Sequence, residues 1–331
     1  MLWILYDIQK YYYPILVFIG LPVNVMTLVI LSRGKCGLSR CVTHYLMLMS
    51  VTDLLIVILD LIMRRLPVIF SSLFWFVVKI KMCNIHAVLL YAVTDCSVWY
   101  TVAFTIDRYV AICCPKLKPK YCTKKKASVI IAMLTVICCL KNIFWYFILG
   151  SGYTLLPYSW FCYITNQAFY TPFWATIQSL HYILTPGLPF CLILLLNSLT
   201  IRHILVANRA RQRIRGPSSV GNQKDSELES RKNSIVLLFV VSGNFILLWV
   251  VFMANSIYVR IAVDNFIVSY ISQYTQEIGF MLQLLSCCTN TFIYAVTQRK
   301  FREDLQYVLK YPTTWITRSI KHQEEPKNSQ L

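Results

Sequence analysis

The chain has 331 residues, of which 57% are hydrophobic and only 14% are charged. Soluble chains carry about 25% charged residues, so this composition excludes an ordinary soluble protein. The net charge of +18 first suggests a nucleic-acid or anionic-lipid partner, and the distribution of the charge decides between the two.

Apolar segments of the length that crosses a bilayer, about 20 residues each, recur along the chain. Backbone polar groups in lipid must be satisfied within their own segment, so helices are predicted rather than open strands. The sequence therefore predicts an all-α integral membrane bundle of seven transmembrane helices, followed by a short amphipathic cytoplasmic helix. The predicted spans cover residues 12–32, 43–63, 84–112, 128–149, 173–206, 234–259 and 273–297.

These spans divide the chain into three parts. Residues 1–11 are expected to form a short extracellular N-terminus, residues 12–298 the membrane domain, and residues 299–331 an amphipathic helix with a polar tail. No cleaved signal peptide is predicted, because the first apolar run is long enough to remain as a signal anchor. Two interpretations of the short tail stay open: a naturally short N-terminus, or a gene model that lacks a first exon.

The basic residues predict the orientation of the bundle. With the N-terminus outside, the inner segments hold three Lys or Arg in 33–40, six in 116–126, eight in 202–232 and seven in 299–327. The outer segments hold six: Lys10, Arg64, Arg65, Lys79, Lys81 and Arg260. This asymmetry follows the positive-inside rule and also attracts the anionic inner leaflet, so membrane lipids are expected partners and nucleic acid is not.

Two segments after the fifth span are polar or amphipathic. Residues 207–233 read as an inner loop flanked by extensions of helices five and six. After the last span, Phe301, Leu305 and Leu309 recur every fourth position beside basic residues. That pattern predicts a helix lying on the inner membrane surface, ended by Pro312.

Asp107-Arg108-Tyr109 closes the third apolar segment, which Cys83 opens. An acid-arginine pair at the end of a membrane helix is costly in lipid, which indicates a function. Within seven spans, this constellation resembles the rhodopsin-like (class A) G-protein coupled receptors over about residues 12–310. The sequences at 20–24, 105–109 and 196–198 further resemble the orphan G-protein coupled receptor 139 and 142 branch.

The resemblance implies a plasma-membrane receptor with an extracellular N-terminus and a cytoplasmic C-terminus. It would bind an extracellular small-molecule or peptide ligand, activate a heterotrimeric G protein, interact with arrestin and have no enzyme chemistry. The branch further suggests an aromatic amino acid as the ligand. The alternative is a polytopic transporter or channel, which would need a polar path through the bundle, and the interior acids are too few and too scattered for one.

Several residues take family roles through the resemblance. Cys83 and Cys162 both fall on the oxidising outer side, where a bridge would tie the second outer loop to helix three. Phe245 and Trp249 match an aromatic switch pair, with simple core packing as the alternative. Pro189 is predicted to bend helix five, and Val251 stands where the family has the proline that kinks helix six.

The inner end carries the coupling motifs. Arg108 is expected to pair with Asp107. Many family members have a second ion pair between this arginine and an acid in helix six, but the matching position here is Arg231. Because this second ion pair is absent, some agonist-independent activity is expected. The segment from Asn290 to Tyr294 resembles the NPxxY motif with threonine in place of proline.

A sodium ion is the one predicted cofactor. Positions matching Asp53, Ser97 and Asn290 line a sodium and water pocket in the family, and an ionised Asp53 could ligate a hard cation. The alternative is a neutral Asp53 that is hydrogen-bonded between helices. Ser286 replaces a second asparagine, which would weaken the ion.

The ligand cavity is predicted in the outer half of the bundle. An amine-binding aspartate is missing, because Leu90 stands at its position, whereas Glu277 could hold an ammonium group or be solvated at the outer mouth. Asp95 is predicted to face helices four and five. The candidate lining residues are His86, Leu90, Tyr91, Thr94, Gln178, His181, Tyr182, Phe252, Met253, Ser256, Glu277 and Phe280.

Overall fold

The structure is a computed structural model that describes residues 2–34, 36–76, 79–156, 159–165, 172–214, 223–261 and 266–310. At some of these positions, including Gln178 and Arg231, only the backbone is described. Predictions about the Gln178 and Arg231 side chains, and about Pro312, therefore lie outside the described residues.

Seven helices among the described residues are long and apolar enough to cross a membrane, which confirms the predicted bundle. Helix α2 consists of three consecutive segments, Arg40–Ile56, Val57–Arg65 and Leu66–Ile69, and α5 consists of Pro172–Tyr182, Ile183–Gly187 and Leu188–Ile214. The other spanning helices are α1 (Leu2–Ser32), α3 (Cys83–Cys113), α4 (Lys124–Asn142), α6 (Gln223–Ile261) and α7 (Phe266–Thr297). Single helical turns at Lys118–Tyr121 and Trp145–Ile148 precede and follow α4.

Side-chain caps fix the starts of two spans. The Ser39 side chain accepts a hydrogen bond from the Val42 backbone N–H at the start of α2. Thr123 does the same for Lys126 at the start of α4. The first turns of a helix have unpaired N–H groups, so each cap stabilises the boundary by about 1 kcal/mol.

The first helix begins earlier than the sequence suggested. It starts at Leu2, so residues 2–11 are helical and continue the span that the sequence places at residues 12–32. The extra turns are held by α7, since the Gln9 amide donates to the Glu277 carboxylate at 3.2 Å. A hydropathy pattern does not reveal such a polar contact between distant segments.

The bend in α5 also differs from the prediction. The break lies at Thr185, whose φ of −150° and ψ of 114° are not helical, and Pro186 follows it. Proline disfavours the helical conformation of the residue before it, which explains the break. Pro189 lies in the first turn of Leu188–Ile214, where a missing N–H costs nothing, so the predicted bend at Pro189 is wrong.

A β-hairpin follows the turn after α4, and the sequence prediction missed it. Strands β1 (Leu149–Leu156) and β2 (Ser159–Ile164) are antiparallel, with Tyr153 opposite Cys162. Helix four was predicted to reach residue 149, but β1 begins there. Gly150 is required by close packing, because a Cβ atom at this position would lie 2.2 Å from the Tyr163 ring.

Helix α8 (Arg299–Lys310) confirms the predicted amphipathic helix. Phe301 is fully buried, and its ring packs edge-on against Tyr294 of α7 at 5.9 Å between centroids. Leu309 is exposed, on a surface available to lipid.

Cys83 and Cys162 form a disulfide with a Cα–Cα distance of 5.5 Å, which confirms the predicted bridge. The disulfide joins β2 to the first residue of α3 and packs against Tyr153. We call this part of the bundle the disulfide end, and the opposite part, where Arg108 lies, the Arg108 end.

Replacing Cys83 with serine should destabilise the receptor and reduce its delivery to the cell surface. The bridge closes a loop with a sequence separation of 79 residues. A loop of that size contributes at most about 4.5 kcal/mol through the entropy of the unfolded chain. The measurement is the melting temperature of the purified protein, with surface labelling of cells. Cys191→Ser, which removes an exposed free thiol, is the control, and equal behaviour of the two variants would contradict the structural role.

Candidate functional site

A cavity of about 500 Å³ opens among the helices toward the disulfide end. Its polar wall comes from α1, α2 and α7, and its aromatic wall from α3, α5, α6, α7 and the hairpin. The polar wall includes Gln9, Tyr13, Asp60, Arg64, Arg65, Gln273, Gln276, Glu277 and Gln283, and the aromatic wall includes Tyr91, Phe161, His181, Tyr182, Trp249, Phe252 and Phe280.

Most of the predicted ligand-pocket residues come together in this lining. These are Leu90, Tyr91, Thr94, His181, Tyr182, Phe252, Glu277 and Phe280. Gly279 lets α7 approach α6 closely beside the cavity, since a Cβ atom there would lie 2.9 Å from the Phe252 Cα atom.

Three predicted residues lie outside the lining. His86 Nε2 donates to the Leu59 carbonyl at 2.8 Å, so Nδ1 of the neutral ring accepts from the Tyr153 hydroxyl at 3.1 Å. Ser256 donates to the carbonyl of Phe252 one turn earlier, and Met253 packs into an apolar cluster. Placing His86 in the pocket is therefore a wrong prediction, because its ring is used to fasten α3 to α2 and the hairpin.

A buried charge cluster on the polar wall was not predicted. Arg65 is 7% exposed, its Nε donates to Asp60 at 3.1 Å, and its Nη1 donates to Glu277 at 3.0 Å. Arg64 forms a looser ion pair with the same Asp60 oxygen at 3.7 Å. Glu277 Oε2 also accepts from Gln9, so the carboxylate that the sequence offers to a ligand ammonium or to solvent already has two protein donors on one oxygen.

Helix geometry explains how two adjacent arginines reach the cavity. They end the segment Val57–Arg65, which is a π-helix inside α2. A π-helix widens the turn and changes the direction of the following side chains, and such segments are frequent at functional sites. The sequence predicts Arg64 and Arg65 only as basic residues of the outer segment that follows the second span, without assigning them to the cavity.

Aromatic rings flank both guanidinium groups. The Arg64 guanidinium lies 4.4 Å from the Phe161 ring centre and 5.3 Å from that of Phe280. The Arg65 guanidinium lies 4.7 Å from the same Phe280 ring and 5.6 Å from Tyr13. Stacking on a ring covers the face of a guanidinium and leaves its N–H edge available for hydrogen bonds.

A second ion pair closes the cavity between α3, α4 and α5. Lys141 Nζ lies 2.6 Å from the Asp95 carboxylate and donates to the Thr185 hydroxyl at 2.8 Å. Asn142 also donates to Asp95. Asp95 therefore faces α4 and α5 as predicted. Its carboxylate charge is balanced by the Lys141 ammonium group, a pairing that the sequence did not predict.

The floor of the cavity is aromatic. Trp249 is 3% exposed and stacks on Phe245 at 5.2 Å between ring centres, with an interplanar angle of 30°. Its Nε1–H donates to the Ser286 hydroxyl of α7 at 3.3 Å. The tryptophan thus contacts the cavity on one side and α7 on the other.

Below the floor, the three residues predicted for the sodium pocket lie together. Asp53 accepts hydrogen bonds from Ser97 at 3.3 Å and from Asn290 at 2.6 Å, which join α2, α3 and α7. Asn24 donates to the carbonyls of Gly20 and Cys287, while its Oδ1 atom is buried without a partner among the described residues. Carboxylate, hydroxyl and amide oxygens suit a hard cation, so this set fits sodium.

At the Arg108 end, Arg108 is bound on two sides. Its guanidinium forms a salt bridge with Asp107, including Nε to Oδ2 at 3.0 Å, and its Nη1 donates to the Ser234 hydroxyl of α6 at 3.1 Å. The Ser234 contact was not predicted, because the family pattern points to an acid at the position of Arg231 and not to a hydroxyl group at position 234.

Two cysteine thiols donate hydrogen bonds to Asp107, the salt-bridge partner of Arg108. Cys41 Sγ donates to Asp107 Oδ1 at 3.0 Å, and Cys122 Sγ donates to the Asp107 carbonyl at 3.6 Å. Burial, and then the nearby Asp107 charge, raise the pKa of Cys122 to about 12, so this thiol stays protonated and remains a donor. Tyr109 is half-buried beside this group, and Tyr294 is fully buried.

Seven spanning helices, the disulfide at the start of α3 and the Asp107–Arg108 pair at its end define a heptahelical membrane receptor. Residues 23–294 match the 7 transmembrane receptor (rhodopsin family) profile. The chain belongs to that receptor family, and it is not an enzyme.

Among similar proteins is growth hormone secretagogue receptor type 1 of Homo sapiens, 25% identical over 293 residues, covering 86% of this chain and 75% of the relative. Thyrotropin-releasing hormone receptor of Gallus gallus is 26% identical over 306 residues, covering 86% and 74%. The resemblance to the receptor 139 and 142 branch stays a prediction.

Replacing Lys141 with methionine should destabilise the bundle by about 3 kcal/mol, because it leaves the Asp95 carboxylate buried without its cation. Asp95 has a side-chain exposure of only 2%. The double variant Lys141→Met/Asp95→Asn should recover most of the loss, since both charges are then removed. The measurement is a double-mutant cycle on the melting temperature. Additive losses in the double variant would show that the two side chains are not energetically coupled.

Proposed function

We propose that this chain is a plasma-membrane receptor that binds an extracellular ligand in the cavity at the disulfide end. Binding there would activate a heterotrimeric G protein at the Arg108 end. The disulfide end is then extracellular, together with the N-terminus, and the basic Arg108 end is cytoplasmic. The charge asymmetry of the loops supports this orientation.

The observation that carries the proposal is a series of side-chain contacts through the bundle, which α7 and α3 link to one another along their length. Trp249 lines the cavity and bonds to Ser286 of α7, and Asn290 of the same helix bonds to Asp53. Tyr294, one turn further along α7, packs in the same core cluster as Phe104 of α3, which precedes Arg108 by one turn. A ligand that favours one packing of α6 and α7 at the cavity would therefore also change the helix packing at the Arg108 end.

The mechanism is a shift between two populations of helix packing. A ligand changes the equilibrium only by the ratio of its affinities for the two states. A shift of about 100-fold needs roughly 2.7 kcal/mol of differential binding, which a few contacts supply. Outward movement of α6 breaks the bond between Arg108 and Ser234 and opens a cleft for the G protein.

The ligand class follows from the cavity and the relatives. Its volume of about 500 Å³ admits a small molecule or the end of a peptide. Two relatives are named for growth hormone secretagogues and thyrotropin-releasing hormone, and the ligand proposed here is likewise a messenger from outside the cell. The aromatic wall suits an aromatic side chain. Arrestin and inner-leaflet lipids are proposed as further partners of the Arg108 end.

Nucleotide exchange on purified heterotrimeric G proteins tests this function without a known ligand. A hydroxyl partner holds Arg108 less firmly than a carboxylate would, so some agonist-independent exchange is expected. Arg108→Ala should reduce that exchange to background while leaving the protein in the membrane. Arg299→Ala is the control, because it removes an exposed arginine whose ion-pair partner within the described ranges is Glu303 of its own helix. Ion flux in liposomes without any exchange would favour a channel or transporter.

Sodium should stabilise the resting packing through Asp53. Raising sodium at constant ionic strength, with potassium as the replacement, should raise the melting temperature and lower basal exchange. Asp53→Asn removes the charge and should abolish both effects, while its hydrogen bonds to Ser97 and Asn290 can be largely retained. The measurement is a sodium titration of both variants. Equal sodium dependence in Asp53→Asn would show that Asp53 only joins helices by hydrogen bonds.

A further inference from the structure

We infer that Arg64 and Arg65 bind a carboxylate group of the ligand. The inference rests on the proposed receptor function, because it identifies the chemistry that the same cavity recognises. It derives from donors on the polar wall that have no acceptor among the residues that the structure describes.

Arg65 carries the first donor. The residue lines the cavity, its side chain is 8% exposed, and its Nε and Nη1 atoms are bound by Asp60 and Glu277. Its Nη2 atom is buried and has no hydrogen-bond partner among the described residues. A guanidinium nitrogen of this kind donates two hydrogen bonds and accepts none, so it requires an oxygen acceptor.

Arg64 and Tyr13 add further donors to the same wall. Arg64 has only the loose 3.7 Å pair with Asp60, and its guanidinium makes no hydrogen bond within the described ranges. The Tyr13 hydroxyl is buried and unpaired in the part of the chain that the structure describes. All three side chains line one cavity.

The neighbouring acids do not occupy these donors. Asp60 is bound by both arginines, and Glu277 is bound by Arg65 and Gln9. With two arginines and two acids the cluster is formally neutral, so a ligand anion enters without a net opposing charge. The Arg64 charge is the less compensated of the two, because its ion pair is longer than a hydrogen bond.

Guanidinium geometry selects the ligand group. The Phe161 and Phe280 ring centres lie 4.4 and 5.3 Å from the Arg64 guanidinium, and neither ring takes a hydrogen-bonding position on its planar N–H edge. That edge matches the two oxygens of a carboxylate and forms shorter, stronger bonds with them than with a neutral amide. An aromatic group on the same ligand would then lie against Phe252 and Trp249, which meet edge to face at 6.2 Å.

Thermal-shift titration of the purified full-length receptor with three matched probes tests the inference. The probes are hydrocinnamate, its neutral amide hydrocinnamamide, and the cation phenethylamine. A fragment of this size binds with a Kd on the order of 1 mM, and saturable stabilisation reports that binding. Hydrocinnamate should bind at least about tenfold more tightly than the other two probes, because only it forms charge-assisted bonds.

Two variants separate loss of the site from loss of folding. Arg64→Gln keeps both Arg65 ion pairs, and Arg65→Gln/Glu277→Gln removes one charge of each sign. Each should weaken hydrocinnamate binding at least about tenfold. Lys79→Gln is the matched control, since Lys79 is an exposed cation at the same end that lies over Trp75 outside the cavity lining, and it should bind as the wild type does.

The inference is overturned if no probe stabilises the wild-type receptor, if the amide or the amine binds as tightly as the acid, or if both arginine variants bind like the wild type. Basal nucleotide exchange is measured on the same preparations. Normal exchange without carboxylate binding rejects the inference and leaves the receptor function standing. Carboxylate binding without exchange rejects the receptor function instead.

Discussion

The constraint on which this structure depends is that a polar group inside a bilayer must find its partner on another helix. Asp53, Asp95, Asp107 and Arg65 are each buried, and each is bound by at least one side chain of another helix. In hydrocarbon an unpaired charge costs several kcal/mol. These contacts therefore fix how the helices pack, and the apolar surfaces alone do not.

The sequence was sufficient where the physical signal is local. Hydropathy located the seven spans, because each one must bury about 20 residues in lipid. Cys83, Arg108 and Asn290 were found because a half-cystine or a polar group at a helix end or centre stands out against an apolar background. Asp53, Ser97 and Asn290 do lie together, and eight of the twelve pocket candidates line one cavity.

The sequence was insufficient where the signal depends on contacts between distant segments. Arg64 and Arg65 looked like outer-loop cations, and only the π-helical segment of α2 and the partner Glu277, 212 positions away, place them inside. The break at Thr185 and the hydrogen bond between Arg108 and Ser234 were likewise not predicted from the sequence. A hairpin between helices also gives no hydropathy signal, since β1 and β2 are short and pair only with each other.

The central claim is that α6 is held to Arg108 at rest and moves away when a G protein binds. Distance measurement by electron paramagnetic resonance between spin labels at Arg40 of α2 and Lys232 of α6, both exposed near the Arg108 end, tests it directly. The labels should be attached through non-natural amino acids, because the exposed thiols of Cys139 and Cys191 would react otherwise. The account predicts a second, longer distance when nucleotide-free G protein is added to the receptor in nanodiscs. A single unchanged distance with and without G protein would contradict it.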